Sequence, residues 1–288
     1  MSGTSNKSHQ GAVSTRKFYD DRGWARNDEG KFIDQDLFSF KEDGPLRQAG
    51  ARLATDRVRK VIQSIGVPVR LLECGCGGTP VVALADLCKH FTAVDFSSRG
   101  LNEAANALAA TGVKFDTQVA DICKLQFDSD SFDAVYSAHV LYHIPSAAAQ
   151  AAALAEMIRV VRPGGAIILT IANPRPFASP LRLLKRLIAD TPGISTVARR
   201  LHPAPPLPYN PMSISWMRQQ FRGLANVDVI TGGIVSTWFN QNISERSILG
   251  SIAWKSIVGL EREMPHLSAY LGNYVTVIAR KNLAGAGE

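Results

Sequence analysis

The stretch LLECGCGGTPVVAL, Leu71–Leu84, joins the end of an apolar run to a cluster of glycines. Threonine often caps a helix and proline favours its first position, so Thr79-Pro80 predicts that a helix begins there. We therefore expect a strand over Val69–Glu73, a tight glycine turn and a helix over Pro80–Lys89. In a sheet covered by helices, such a turn lies at the carboxyl end of a strand, where ligands bind. A structural turn that binds nothing is the alternative.

Strand and helix patterns alternate on both sides of this turn. The other expected strands are Phe91–Asp95, Val113–Asp121, Phe132–Val140, Ala166–Asn173, Val227–Val235 and Tyr274–Lys281. The other expected helices are Pro45–Ile65, Ser97–Ala110, one capped by Ser146 and stopped by Arg162–Gly165, Ser213–Phe221 and Ser244–Glu263. This alternation predicts an α/β fold with right-handed crossovers and a largely parallel sheet covered on both faces.

Composition limits the remaining classes of protein. The chain has 288 residues, 45% of them hydrophobic, which suffices for one large core. The net charge of +7 permits anionic partners, but without a basic stripe bearing aromatic residues we expect no nucleic-acid partner. The four cysteines form no CxxC pair, so we expect no metal site and a reducing, cytoplasmic location. Residues 1–15 are expected to be a disordered tail, not a signal peptide, and no stretch approaches the ~20 apolar residues of a membrane span.

Acidic residues end three successive expected strands: Glu73, Asp95 and Asp121. All three would line one edge of the sheet, beside the glycine turn. Asp95 follows the turn at about the spacing of a ribose-binding acid, and a carboxylate can accept from both hydroxyls of a ribose. The pattern therefore favours a nucleoside ligand. Pro80 stands where the dinucleotide fingerprint has its last glycine, which disfavours a nicotinamide oxidoreductase.

These residues together resemble the class I S-adenosylmethionine-dependent methyltransferases. ECGCGG is similar to the family's glycine motif, AVDFS to its second motif and VADICKLQF to its third, while FDAVYSAHVLYHI resembles its fourth. The resemblance extends roughly over Pro45–Asn173 and the final strand, and is strongest to the small-molecule subgroup, similar to quinone-biosynthesis enzymes (type 11). It implies a Rossmann-like, seven-stranded, mostly parallel sheet with helices on both faces and an antiparallel last strand.

The resemblance also implies the cofactor, S-adenosyl-L-methionine, and the residues that bind it. These implied residues follow the first four strands: Glu73, Gly75, Cys76, Gly77, Asp95, Phe96, Asp121, Ile122, Ser137 and His139. Residues 16–288 would form one methyltransferase domain, in which the proline-rich, basic stretch 174–211 is an insertion that covers the substrate. The amphipathic helix expected at Leu181–Ala189 is either part of this cover or a peripheral contact with a membrane or a carrier protein.

A sulfonium methyl group is already activated, so orientation of the acceptor supplies most of the catalysis. We expect methyl transfer to a small molecule, with O-methylation favoured. A hydroxyl acceptor needs a base, for which His143 is the first candidate and Tyr19 and Tyr142 are weaker ones, although a structural role for His143 is open. Tyr19 lies in FYDDRGW, Phe18–Trp24, which either anchors the tail or covers a ligand. N- or C-methylation of a lipid, quinone or carrier-bound substrate, and a cofactor-binding protein without catalysis, are the alternatives.

Overall fold

The structure describes most of the strands and helices that the sequence predicts. The structure is a computed structural model that describes residues 16–24, 26, 44–174, 208–235, 239–240 and 243–283. The tail expected at 1–15, the helix expected at 181–189 and most of the insertion 174–211 lie outside the described residues.

One seven-stranded sheet forms the centre of the fold. Its strands are β1 (Val69–Cys74), β2 (Cys88–Asp95), β3 (Phe115–Val119), β4 (Phe132–Ala138), β5 (Val161–Ala172), β6 (Ala225–Gly233) and β7 (Tyr274–Lys281). The strand order is β3-β2-β1-β4-β5-β7-β6. Strands β1 to β5 pair in parallel, and β7 runs antiparallel between β5 and β6. The expected fold class, including the antiparallel last strand, is confirmed.

Six α-helices are found among the described residues: α1 (Pro45–Ser64), α2 (Ser98–Ala109), α3 (Ala147–Val160), α4 (Ile214–Gln220), α5 (Ile248–Glu263) and α6 (Pro265–Leu271). Short 3₁₀ helices span Val82–Leu87 and Leu141–His143, and a π-helical turn spans Tyr19–Gly23. Serine side chains cap α2, α3, α4 and α5 by accepting a backbone N–H three residues further on. The cap at Ser146 is the one expected from the sequence.

Helices cover both faces of the sheet, because successive strand residues point to opposite sides. Leu72 belongs to the core under α3 and α4, whereas the adjacent Leu71 belongs to the core under α1 and α2. Both leucines are fully buried. The continuous apolar runs in the central strands are therefore explained by burial on both sides.

The prediction of a helix over Pro80–Lys89 is wrong. The chain forms a 3₁₀ helix of six residues, Val82–Leu87, and β2 begins directly afterwards at Cys88. Six residues provide only about two 3₁₀ turns, so no regular α-helix fits between the glycine turn and β2. Thr79 does not cap this helix, whose N-cap is Val81.

The helix capped by Ser146 ends just before Arg162–Gly165 as expected, but these four residues lie inside β5 and do not precede it. Helix α3 ends at Val160 and β5 begins at once, with a shift in register that pairs Phe132 with Val161 but Ala134 with Ala166. Gly164 has φ of +73°, so the intervening residues form a bulge, a feature that disrupts the ladder without ending the strand.

Other boundaries differ by smaller amounts. Strand β3 is shorter than expected, β6 begins and ends earlier, and α5 begins only at Ile248. The short helix α6 was not expected. Pro265 at its first position is the signal that could have indicated it.

The strand order changes direction between β1 and β4, which is the place where ligands bind in open α/β sheets. Gly75 follows β1 there with φ of +76°. A Cβ atom on Gly75 would collide with the side chain of Val140, which follows β4. The two chain segments can approach this closely only because residue 75 is glycine.

We expect Gly75→Ala to destabilise the fold by roughly 2–5 kcal/mol, the sum of left-handed strain and overpacking. The matched control is Gly112→Ala. Gly112 has φ of +75°, and no atom lies within 4 Å of the point where its Cβ would stand, so only the strain of about 1–2 kcal/mol applies. Urea unfolding measures both. Equal costs for the two variants would show that Val140 moves aside freely.

Candidate functional site

The carboxylate of Asp95 holds the glycine turn against the start of α2. Its Oδ2 accepts from the Gly77 N–H and its Oδ1 from the Ser97 N–H, both at 2.8 Å. The side chain is buried, and burial raises its pKa although backbone N–H groups lower it. Each carboxylate oxygen has a second lone pair, so Asp95 can still accept from a ligand hydroxyl.

Glu73, at the same edge of the sheet, is also buried. Its Oε2 accepts from the Val81 N–H at 3.0 Å. Glu73 thus bonds to the N-cap residue of the 3₁₀ helix, a position that the sequence assigned to Thr79. Burial raises the pKa of Glu73 to about 8, and the charge of Asp95 adds to this shift. Glu73 therefore stays largely protonated at neutral pH and braces the segment that follows the turn.

Asp121 completes the row of acids and differs from the other two because it is exposed. Its Oδ1 accepts from the Cys123 N–H at 2.8 Å, while Ile122 beside it is buried. The backbone of Ala120 donates to the carbonyl of Asp95 at 2.9 Å, which fixes Asp121 next to the end of β2. The three acids expected at one edge are thus brought together.

Cysteine and serine side chains fill small positions under the turn. Ser137 Oγ donates to the Cys74 carbonyl at 2.8 Å, and Cys76 Sγ donates to the Gly77 carbonyl at 3.4 Å. All four cysteines are free thiols, and burial raises the pKa of Cys74 and Cys76. Both thiols therefore stay protonated and are not nucleophiles. No group of metal-ligating side chains occurs in the described part of the chain.

The N-terminal segment packs over the glycine turn. The indole of Trp24 lies so close to Gly77 and Gly78 that neither position has room for a Cβ. Asp20 accepts from Ser97 Oγ at 2.7 Å, and the Tyr19 ring is tilted against Phe96 with centroids 6.1 Å apart. This segment therefore covers the turn and the end of β2.

The two histidine candidates follow β4. His139 has φ of +61°, and its N–H donates to the Thr170 carbonyl at 2.9 Å. Its Nδ1 lies 3.1 Å from Tyr142 Oη. His143 is half-buried, and its Nδ1 donates to the Pro208 carbonyl at 2.8 Å.

Tyrosine rings surround these histidines. The ring of Tyr274 is perpendicular to that of His139 with centroids 4.7 Å apart, and Tyr209 meets Tyr142 at 5.5 Å. Burial, followed by the nearby hydroxyls of Tyr274, Tyr209 and Tyr19, raises the pKa of Tyr142. Tyr19 and His139 therefore belong to one cluster, which we call the tyrosine cleft (Tyr19, His139, Tyr142, Tyr209 and Tyr274), and His143 packs against its Tyr142.

Two members of the tyrosine cleft were not expected from the sequence. Tyr274 is the first residue of β7, and the amino end of an antiparallel strand lies at the same edge as the carboxyl ends of its parallel neighbours. The expected antiparallel last strand could therefore have indicated it. Tyr209 lies in irregular chain after the insertion, and no pattern points to it.

The parallel order with β7 inserted antiparallel, the glycine turn after β1 and the acids after β1, β2 and β3 define a class I methyltransferase fold. Residues 72–169 match the model of a family described as "Methyltransferase domain". The N-methyltransferase NodS from Bradyrhizobium japonicum, solved in complex with S-adenosyl-L-homocysteine, superposes with a TM-score of 0.51 at 16% identity, covering 95% of this chain and 98% of NodS.

Curated relatives match the same region. A demethylmenaquinone methyltransferase from Clavibacter sepedonicus is 35% identical over 35% of this chain and 40% of its own length. A ubiquinone biosynthesis O-methyltransferase from Xanthomonas campestris is 30% identical over 49% of this chain and 59% of its own length. The match thus spans about half the length of these relatives. Residues 72–169 therefore carry a methyltransferase domain of the type 11 subgroup, and the expected cofactor is confirmed at the level of that family.

The residues present fit this cofactor. Asp95 keeps lone pairs for ribose hydroxyls and the exposed Asp121 can accept from an adenine amine, while the glycine turn on the other side of Asp95, residues 75–78, has no side chain larger than that of Cys76. Among the described helices, none is long and apolar enough to cross a membrane.

We expect the stability of the protein to fall as pH rises from about 5 to 8, because unfolding frees Glu73 to ionise. Its pKa is about 8 when folded and 4.5 in the reference state, so the stabilisation is complete below 4.5 and is lost through 8. Glu73→Gln keeps an acceptor for Val81 and removes the titration. Melting temperatures across this range should fall for the wild type and stay flatter for the variant, by about 2–4 °C per kcal/mol. Parallel curves would mean that Glu73 is ionised in the folded protein.

Proposed function

We propose that the protein transfers a methyl group from S-adenosyl-L-methionine to a small-molecule acceptor, with transfer to oxygen favoured. One observation carries the proposal: the glycine turn with its three acids lies beside the tyrosine cleft, at the crossover between β1 and β4. When bound, the cofactor supplies an electrophilic methyl group on a sulfonium. The protein supplies the surfaces that orient this group and the acceptor.

The proposed cofactor site runs from the glycine turn to Asp121. Gly75, Cys76 and Gly77 form one end of this site beneath the Trp24 indole, Asp95 receives the ribose hydroxyls, and Asp121 with Ile122 holds the adenine. Phe96, half-buried beside Tyr19, packs on the base. Glu73 and Ser137 act from beneath, because their side chains bond to the protein backbone.

We propose that the acceptor is a small aromatic molecule with a hydroxyl group. The tyrosine cleft supports this, since aromatic rings bind flat rings and their hydroxyls satisfy polar substituents. Relatives named for ubiquinone biosynthesis and for 2-methyl-6-phytyl-1,4-hydroquinone methylation agree with a quinone-related acceptor. Transfer to nitrogen or carbon is the alternative, and NodS is an N-methyltransferase with the same fold.

We also propose that the insertion 174–211 covers the acceptor. Its described end supports this, because Pro208 bonds to His143, Tyr209 packs on Tyr142, and the Asn210 N–H donates to the Tyr142 carbonyl at 2.7 Å. A contact of residues 181–189 with a membrane or a carrier protein would suit a lipid-like acceptor.

We also propose a cytoplasmic location, because the four cysteines are free thiols.

Binding of the cofactor product tests the proposal without knowledge of the acceptor. By calorimetry we expect S-adenosylhomocysteine to bind and NAD not to bind. Asp121→Ala should weaken binding about tenfold to hundredfold, since it removes a hydrogen bond of about 1.5–3 kcal/mol to a charged group.

The matched control is Asp116→Ala. Asp116 is an exposed acid near the start of β3 that contacts His90, so its removal should leave the affinity unchanged. Binding of NAD in preference to S-adenosylhomocysteine would favour an oxidoreductase. Cofactor binding without methyl transfer to any hydroxylated aromatic would favour a different reaction, as the same fold in the [4+2]-cyclase SpnF illustrates (TM-score 0.50, 20% identity).

A further inference from the structure

His139 has a backbone conformation that side chains rarely adopt. Its φ is +61°, and among the described non-glycine residues only Asp130 shares a positive value. For a non-glycine residue this conformation costs roughly 1–2 kcal/mol. Asp130 is an exposed turn residue that pairs with Lys281 at 2.7 Å, whereas His139 stands at the crossover between β1 and β4. The strain at His139 thus occurs where ligands bind in this fold.

The neighbours of His139 fix the orientation of its ring. Tyr142 Oη lies 3.1 Å from Nδ1, and the Tyr274 ring is perpendicular to the imidazole at 4.7 Å. If Nδ1–H donates to Tyr142, the neutral imidazole keeps its lone pair on Nε2. The hydrogen bond to Tyr142 therefore decides which nitrogen can accept a proton.

The side chain of His139 is exposed although the surrounding protein is dense. Loss of hydration, followed by the effect of the nearby His143, lowers the pKa of His139 to about 4. His139 is therefore neutral at physiological pH and open to a bound molecule.

His143 is placed differently. Its Nδ1 is bound to Pro208, its ring packs against Tyr142 with centroids 4.5 Å apart, and it lies in a 3₁₀ helix below the cleft. These contacts tie the described end of the insertion to β4. They give His143 a structural task. Its Nε2 keeps a lone pair just as that of His139 does, so the lower exposure of His143 is what separates the two histidines.

We propose that His139, and not His143, is the catalytic residue that takes the proton of the acceptor hydroxyl, with Tyr142 as its positioning residue. This inference rests on the proposed function. The acceptor O–H bond breaks as its proton moves to His139 Nε2, while the oxygen gains the methyl group and the sulfonium becomes a neutral thioether. The imidazolium then returns the proton to solvent. The negative charge that develops on the acceptor oxygen raises the pKa of His139, against the effect of burial, and so favours the protonated form of His139 during the transfer.

A coloured phenol provides a test that does not depend on turnover. 4-Nitrocatechol absorbs at longer wavelength when its hydroxyl is polarised or ionised. We expect it to bind to the protein loaded with S-adenosylhomocysteine, with its absorption band shifted to longer wavelength. His139→Asn should keep the affinity within a few-fold and lose the shift, since asparagine adopts left-handed backbone with little strain. His143→Asn and the distant His90→Asn should keep the shift.

Turnover with S-adenosylmethionine and catechol provides the second measurement. His139→Asn should lower kcat about 10²–10⁴-fold with little change in KM, and imidazole added to His139→Gly should restore part of the rate. Tyr142→Phe should lower kcat less than His139→Asn does.

The outcomes separate the two proposals. Failure to bind S-adenosylhomocysteine would overturn the proposed function itself. Normal binding of S-adenosylhomocysteine without binding of 4-nitrocatechol would overturn this inference alone. The same holds if the shift persists in His139→Asn or disappears in His143→Asn.

Discussion

The two hydrogen bonds accepted by Asp95 are the interaction on which the site depends. They join the glycine turn after β1 to the first turn of α2, at Gly77 and Ser97, so that two segments from different crossovers share one anchor. Ser97 in turn caps α2 and donates to Asp20 of the N-terminal segment. One buried carboxylate thus positions the turn, a helix start and the cover above them.

A buried acid next to a second acid would be costly if both were charged. The protein avoids this cost by giving the two carboxyls different surroundings. Asp95 receives two backbone N–H groups from its neighbours, whereas Glu73 receives one and loses more hydration, so that its pKa rises to about 8. The more strongly hydrogen-bonded of the two acids is thus the one placed to receive ribose hydroxyls.

Much of this arrangement was predictable from the sequence, because it follows from periodicity and from strand order. The acids after β1, β2 and β3 meet at one edge whenever three parallel strands are adjacent, and the serine caps are local in the chain. The error at Pro80–Lys89 has a different origin. The pattern Thr79-Pro80 is a good helix start, but the sheet sets the number of residues available before β2. Local helix propensity contains no information about this length. The tyrosine cleft was only partly predictable, because Tyr209 and Tyr274 reach the motif after β4 through the insertion and the antiparallel strand.

The choice between the two histidines likewise depends on tertiary contacts. In the sequence, His143 is the first candidate, because it follows the fourth expected strand at the mouth of the site and histidine titrates near neutral pH. In the structure, Pro208 occupies one nitrogen of His143, while the strained backbone of His139 holds an exposed imidazole between Tyr142 and Tyr274. Strain of this kind persists only when the surrounding packing fixes it. Here the Thr170 carbonyl, the close approach of Val140 to Gly75 and the tyrosine rings supply that packing, so the same contacts that close the sheet at its crossover also hold His139 in place.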